Sequence, residues 1–206
     1  MPTMLVITAS PRGDRSVSRT LTNHFAEFWA QGHPQDTILL RDIGHHPIPH
    51  VTEPWVIGAS GAHDAQTAES RAAIAVSDQL LEEFLSADRY IFGVPMHNFS
   101  IPSTFKAYID QLVRAGKTFG IGPNGYEGLV KNKKALFIIA SGGSYPPGSP
   151  AAAMNFQEPY LRLIFGFIGV TDVQFVTAGG LNQGEGAARQ SKEKAESELK
   201  ELAAAW

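Results

Sequence analysis

Three short apolar runs constrain this chain more than any other feature: Met4-Leu5-Val6-Ile7-Thr8-Ala9, Tyr90-Ile91-Phe92-Gly93-Val94 and Ala135-Leu136-Phe137-Ile138-Ile139-Ala140. They are rich in β-branched or aromatic residues and apolar without alternation. That pattern belongs to strands buried on both faces of a parallel sheet. Each ends in turn formers, and each is followed by helical periodicity. After the first come Ser10-Pro11-Arg12-Gly13-Asp14-Arg15-Ser16-Val17-Ser18 and then Val17, Leu21, Phe25, Phe28 and Trp29 on one helix face. After the second, Pro95 cannot donate to a ladder and stops the strand. Pro102 suits the first turn of a helix carrying Phe105, Tyr108, Ile109, Leu112 and Val113 at i, i+3, i+4, i+7 and i+8, with Gly116 as its stop. After the third comes Ser141-Gly142-Gly143-Ser144.

The rest of the chain fits the same alternation. Thr37-Ile38-Leu39-Leu40 and Val173–Thr177 read as further strands. Thr67–Ala87, Tyr160–Phe167 and Glu185–Trp206 read as helices. In the last of these, Arg189–Glu193 and Glu196–Lys200 are spaced for i, i+4 pairs on a solvated face. Gly44 to Gly61 is expected to be an irregular Pro- and His-containing connection anchored by Trp55. Lys117–Leu129 is expected to form a hairpin or an irregular excursion with a turn at Asn124-Gly125.

Five strands alternating with helices give a doubly wound parallel sheet covered on both faces. No repeat or linker interrupts residues 1–206, which are expected to form a single domain. A dinucleotide-binding version needs G-x-G-x-x-G after the first strand, and Ser10–Arg15 lacks it. Gly179-Gly180 and Gly184-Glu185-Gly186 come late and at the wrong spacing, and no G-x-x-x-x-G-K-[ST] occurs. The flavodoxin-like strand order 2-1-3-4-5 remains, with its ligand site at the switch point beside the first strand.

Composition narrows the function classes. With 43% apolar and 18% charged residues, the chain reads as globular rather than disordered. A formal net charge of −3 without a basic cluster argues against nucleic acid or an anionic membrane surface as partner. Having no cysteine, it can form neither disulfides, thiolate nucleophiles nor Cys-based metal sites. No secretory signal or bilayer-length apolar run is visible, so a soluble cytoplasmic protein is the expectation.

Three loops at strand ends carry the candidate chemistry. Ser10, Ser16 and Ser18 set hydroxyls and free amides ahead of a helix N-terminus, a cradle for a phosphate. The plain alternative is that these serines only form turns and caps. Met96-His97-Asn98-Phe99 offers apolar groups to a flat ring and polar groups to its edge, or else simply tucks into the core. Ser141–Ser144 lets backbone N–H groups approach a ligand and stabilise negative charge on a ring carbonyl, or forms an ordinary turn. A phosphate cradle and two walls for a heterocycle together describe a flavin mononucleotide site. Other constellations are weaker. His45, His46 and His50 are interrupted by Pro47 and Pro49, which disfavours a metal site. Gly58-Ala59-Ser60-Gly61-Ala62 misses the G-x-S-x-G nucleophile elbow. Lys106, Asp110 and Arg114 are spaced for surface pairs, or for pairs at a subunit interface.

Nearly end to end, the sequence resembles the FMN-dependent NADH-azoreductases, bacterial members of the flavodoxin-like NAD(P)H:quinone oxidoreductase superfamily. The resemblance is carried by the Ser10–Ser18 loop, Pro95-Met96-His97-Asn98-Phe99, Arg114-Ala115-Gly116-x-Thr118-Phe119, Asn124-Gly125 with Glu127-Gly128-Leu129, and Pro159-Tyr160-Leu161. Phe165-Gly166-Phe167-Ile168-Gly169 leading to Thr171-Asp172-Val173 completes it. The resemblance implies that Ser10, Ser16, Val17 and Ser18 hold the FMN phosphate and ribityl end. It implies that Met96, His97, Asn98, Phe99, Ser141, Gly142, Gly143 and Ser144 line the isoalloxazine. It further implies ping-pong hydride transfer from NADH or NADPH through flavin N5 to quinones or azo compounds, with no catalytic side chain and no metal required. A homodimer is implied as well, Phe119 and aromatics around Phe165 being candidates to cover the neighbouring subunit's flavin. This chain has His97 where the family commonly has tyrosine, and Gly142 where it commonly has arginine. A flavodoxin-type electron carrier is the alternative function, and a flavin-free protein of the same fold a third.

Overall fold

The computed structural model describes residues 1–60 and 67–206. Along the chain run β1 (Thr3–Thr8), α1 (Val17–Gly32), β2 (Thr37–Asp42), α2 (Glu53–Ala59), α3 (Ala68–Ser86), β3 (Arg89–Pro95) and α4 (Ser103–Leu112). They are followed by β4 (Phe119–Gly122), β5 (Gly125–Gly128), β6 (Lys134–Ala140), α5 (Gln157–Ile168), β7 (Asp172–Ala178) and α6 (Glu185–Ala205). The parallel sheet has the order β2-β1-β3-β6-β7, and β4 and β5 form a separate antiparallel hairpin. Taking the five sheet strands in chain order gives 2-1-3-4-5, the flavodoxin-like arrangement expected from the sequence.

The apolar runs are buried on both sides, as their lack of alternation requires. Leu5, Ile7, Tyr90, Phe92, Phe137 and Ile139 face a layer formed by α3, α4 and α5, where Leu81, Phe84, Phe105, Tyr108, Leu112, Leu161 and Phe165 pack against them. Met4, Val6, Ile91, Leu136 and Ile138 face the opposite layer, meeting Leu21, Phe25 and Trp29 of α1 and Ala195, Leu199 and Ala203 of α6. Each fully buried large apolar side chain contributes about 1.5–3 kcal/mol to this packing. The two layers hold the sheet rigid and leave the C-terminal strand ends free to carry loops.

Several local expectations are corrected. The segment from Gly44 is not irregular throughout: α2 lies within it, capped by Thr52 accepting from the Trp55 amide. Trp55 does anchor it, donating from Nε1 to Gln111 Oε1 at 2.6 Å. Gly61 and Ala62, and with them the end of both that segment and the near-elbow motif, lie outside the described residues. Pro102 is the N-cap of α4 rather than a first-turn residue, and Val113 rather than Gly116 ends the helix. In the hairpin, Gly122 pairs with Gly125, so Pro123-Asn124 make the turn. Lys106 pairs with Asp110 at 2.6 Å, but Arg114 reaches Asp78 instead. On α6, neither i, i+4 pair is among the ion pairs of the described residues, and Glu196 meets His24. Phe165 itself is wholly buried, because α5 turns it into the core, whereas Phe167 beside it is half-buried.

Candidate functional site

Strands β1, β3 and β6 are neighbours in the sheet, so the three loops singled out above leave one edge side by side. The register sets their spacing. Thr8 lies opposite Gly93, and Pro95 lies opposite Ala140. Past the strand ends the ladder continues by single bonds: Ala9 N–H to Gly93 O at 2.9 Å, Met96 N–H to Ala140 O at 2.8 Å, and Ser141 N–H to Ala178 O at 3.0 Å.

The first loop is built around α1's start. Ser16 is the N-cap, extended in backbone, and its Oγ accepts from the Arg19 amide. Ser10, Ser16 and Ser18 are all buried, and Ser16 Oγ lies 3.3 Å from Ser18 Oγ. The amides of Val17 and Ser18 have no partner among the described residues, so the helix start keeps the unsatisfied donors that attract an anion. Capping and anion binding are therefore not alternatives here, since Ser16 caps one amide and leaves two open.

A clamp that no sequence motif marks holds this loop in place. Arg19 donates to Thr8 Oγ1 at 3.1 Å, to the Ser10 carbonyl at 2.8 Å, and to both carboxylate oxygens of Asp42 at 2.7 and 2.9 Å. Asp42 also accepts from the Gly44 and His45 amides and from His45 Nδ1 at 2.7 Å. Burial works to raise the Asp42 pKa, but the hydrogen bonds from Arg19 and His45 outweigh it and hold the carboxyl well below the usual carboxylate range. Gly44 passes so close to the Ser10 carbonyl that a Cβ would sit 2.0 Å from its oxygen, which only glycine allows. The available signal was Arg19 itself. A cation in the first turn opposes the helix dipole and calls for an acidic partner.

The second loop is a tight turn. His97 and Ser100 exchange both backbone hydrogen bonds, at 2.9 and 3.0 Å. Between them Asn98 and Phe99 have φ of 48° and 68°, the pair of left-handed residues that a type I′ turn demands. Asparagine tolerates that region, whereas a phenylalanine there is strained by about 1–3 kcal/mol. The strained turn presents His97, Asn98 and Phe99 to solvent, while Met96 is half-buried beneath them. The Phe99 carbonyl accepts from Phe156, and its ring meets Tyr145 edge-on with centroids 6.2 Å apart.

The third loop is zipped to the chain after β7. The carbonyls of Ser141, Gly142 and Gly143 accept from the amides of Leu181, Asn182 and Gly180, and Ser141 Oγ donates to Gly143 O. With the carbonyls engaged behind, the amides of Gly142, Gly143 and Ser144 are left without partners among the described residues. Asn182 also accounts for the missing side chain at 142. A Cβ on Gly142 would lie 2.5 Å from Asn182 Nδ2, so the asparagine fills that space.

The structure brings the three loops to one edge but not into one cavity. Met96, Ser141 and Ser144 line a cavity of about 320 Å³ with Tyr145, Gln157 and Thr177. His97 and Asn98 line an open hollow of about 520 Å³ with Lys106 and Tyr160. Ser16 and Val17 line a third, of about 280 Å³, with Arg15 and Lys192. Burial, and to a lesser extent the Asp110 charge, push the Tyr160 phenol up to about 12, so it remains a neutral donor. His45, held by Asp42 and Arg19, belongs to the clamp on the first loop. Among the described residues no three potential metal ligands converge.

Known proteins share this architecture over its whole length. A family model described as "Flavodoxin-like fold" matches residues 2–203. An FMN-dependent NADH:quinone oxidoreductase from Trichormus variabilis is 54% identical over 207 residues, covering 100% of both chains. An azoreductase crystal structure from Bacillus anthracis superposes with a TM-score of 0.92 at 33% identity, covering 100% of each chain. An FMN-dependent NADH-azoreductase from the same species, solved in complex with FMN, gives 0.88 at 28% identity, covering 98% of this chain and 100% of that one. A match of this length and identity to reductases of one kind leaves one assignment: the chain belongs to the FMN-dependent NADH:quinone oxidoreductase and azoreductase family of flavodoxin-like fold.

Proposed function

We propose that this protein is an FMN-dependent NADH oxidoreductase that reduces quinones and cleaves azo compounds, with FMN held across the three strand-end loops. The observation that carries this reading is the adjacency of unpartnered backbone donors. Those of Val17 and Ser18 sit at a helix start, and those of Gly142, Gly143 and Ser144 sit two strands away. A phosphate at one end and a carbonyl-edged ring at the other match that donor set. In this reading Ser10, Ser16, Val17 and Ser18 hold the phosphate and ribityl end. Met96, His97, Asn98, Phe99, Ser141, Gly142, Gly143 and Ser144 line the ring.

Bound FMN supplies the hydride chemistry, taken from NADH and passed to the acceptor. The chain's own groups position and polarise. The 142–144 amides stabilise negative charge at the ring's carbonyl edge without reorganising. His97 and Tyr160 line the open hollow where donor and acceptor take turns, each offering hydrogen bonds that orient a substrate. The whole chain acts as one domain, in a cytoplasmic homodimer that shields the site. Exposed apolar side chains support the pairing: Phe156 is 63% exposed, Leu163 71% and Tyr126 73%. Steady-state assays on FMN-loaded protein with NADH test the function. Reduction of both a quinone and an azo dye is expected, and turnover of neither by loaded protein contradicts it.

A further inference from the structure

The geometry points to Arg19 and Asp42 as positioning residues that give the site its preference for a phosphorylated flavin, an inference that rests on the FMN reading. Arg19 is tied to both ends of the candidate cradle. Its amide donates to Ser16 Oγ at 3.3 Å and its guanidinium to the Ser10 carbonyl at 2.8 Å. The same guanidinium reaches back to Thr8 Oγ1, so it spans from the last residue of β1 to the first turn of α1. Asp42, at the end of β2, holds the fork with both oxygens and has its own position set by the Gly44 and His45 amides. Thr8 O accepts from Ile43 and Gly44, which closes the connection between the two strand ends. The clamp touches nothing on the Met96–Phe99 or Ser141–Ser144 loops. Its influence therefore falls on the phosphate end and not on the ring end.

A bidentate arginine satisfies Thr8, Ser10 and Asp42 together because its five donors are fixed in one plane. A lysine at 19 has its three donors on one tetrahedral nitrogen and cannot reproduce the planar fork that meets Thr8, Ser10 and both Asp42 oxygens. Without the clamp the loop from Ser10 to Ser18 has to be ordered when the phosphate arrives, and that ordering weakens binding. Riboflavin, which carries the same ring and ribityl chain but no phosphate, does not draw on the ordered cradle in the same way. Arg19→Ala is therefore expected to weaken FMN by about tenfold or more, while riboflavin, whose ribityl chain meets the same loop but which brings no phosphate to it, weakens by severalfold less.

Flavin fluorescence titrations of apoprotein with FMN and with riboflavin test this, using the wild type, Arg19→Ala, Arg19→Lys and Asp42→Asn. Circular dichroism and thermal unfolding identify which variants remain folded. The expected result is a fall in the FMN-to-riboflavin affinity ratio in every folded variant, smaller for Asp42→Asn, which keeps an acceptor for the Gly44 amide. Equal weakening of both flavins, or unchanged FMN affinity in folded Arg19→Ala and Arg19→Lys, overturns the inference. Wild-type protein that binds neither flavin overturns the FMN reading and this inference with it. Wild type that binds FMN alongside variants with an unchanged ratio overturns only the role of the clamp.

Discussion

Phe99 carries backbone strain within the proposed flavin site. Its φ of 68° places a bulky side chain in the left-handed region, next to Asn98 at 48°. An Asn-Gly sequence satisfies such a turn without strain, and Asn98-Phe99 does not. Phe99 is 45% exposed, so its ring gains little from burial. Phe99→Gly is therefore expected to raise the thermal midpoint by roughly 2 °C, the strain relief exceeding the entropy cost of the new glycine. The same change is expected to weaken flavin binding, which a parallel titration checks. A lower midpoint with unchanged binding contradicts the assignment of strain to function. Asn98 and Phe99 stood out in the sequence by residue type, but their dihedrals did not. Positive φ at a phenylalanine follows from the closure of the turn by His97 and Ser100, and no propensity foretells it.

Loops and helices were legible where local chemistry was strong. The buried strands declared themselves by unbroken apolar runs, and the α4 face by its i, i+3, i+4 spacing. The seven-residue α2 was hidden because Pro47, Pro49 and Pro54 mask its cap at Thr52, and Trp55 is held by a partner 56 residues away. Long-range pairing was equally invisible. Nothing near residue 142 signals that Asn182 occupies the space beside it. Gly142→Ala is expected to displace Asn182 and cost about 1 kcal/mol, while Asn182→Ala introduced together with it restores most of the loss. Urea unfolding of the two single variants and the double variant forms a mutant cycle that measures the coupling. Additive effects would show that the two positions do not compete for space.

At the scale of the whole molecule, the sheet order was readable because motif exclusions removed its rivals. Arg19 signals the need for an acidic partner but not that the partner is Asp42, since the connection joins residues from two strands and a helix. That connection gives the molecule an acid-sensitive component. Asp42 has a folded-state pKa below its unfolded value, so its contribution is present above about pH 4 and is lost as pH falls toward the folded value. Asp42→Asn is expected to lower stability near neutral pH by about 1–2 kcal/mol, allowing for its partial exposure. The gap from wild type should narrow as the medium is acidified below about pH 4, as denaturant unfolding across that range will show. A gap that widens on acidification contradicts the sign. In the proposed function, three neighbouring strand ends hold FMN where NADH can reduce it. The most direct measurement titrates apoprotein with FMN and then adds NADH without oxygen while the visible flavin absorbance is followed. Stoichiometric binding, bleaching by NADH and return of colour on adding a quinone are the predicted result. Protein that binds no FMN, or binds it and is not bleached by NADH, would contradict the account.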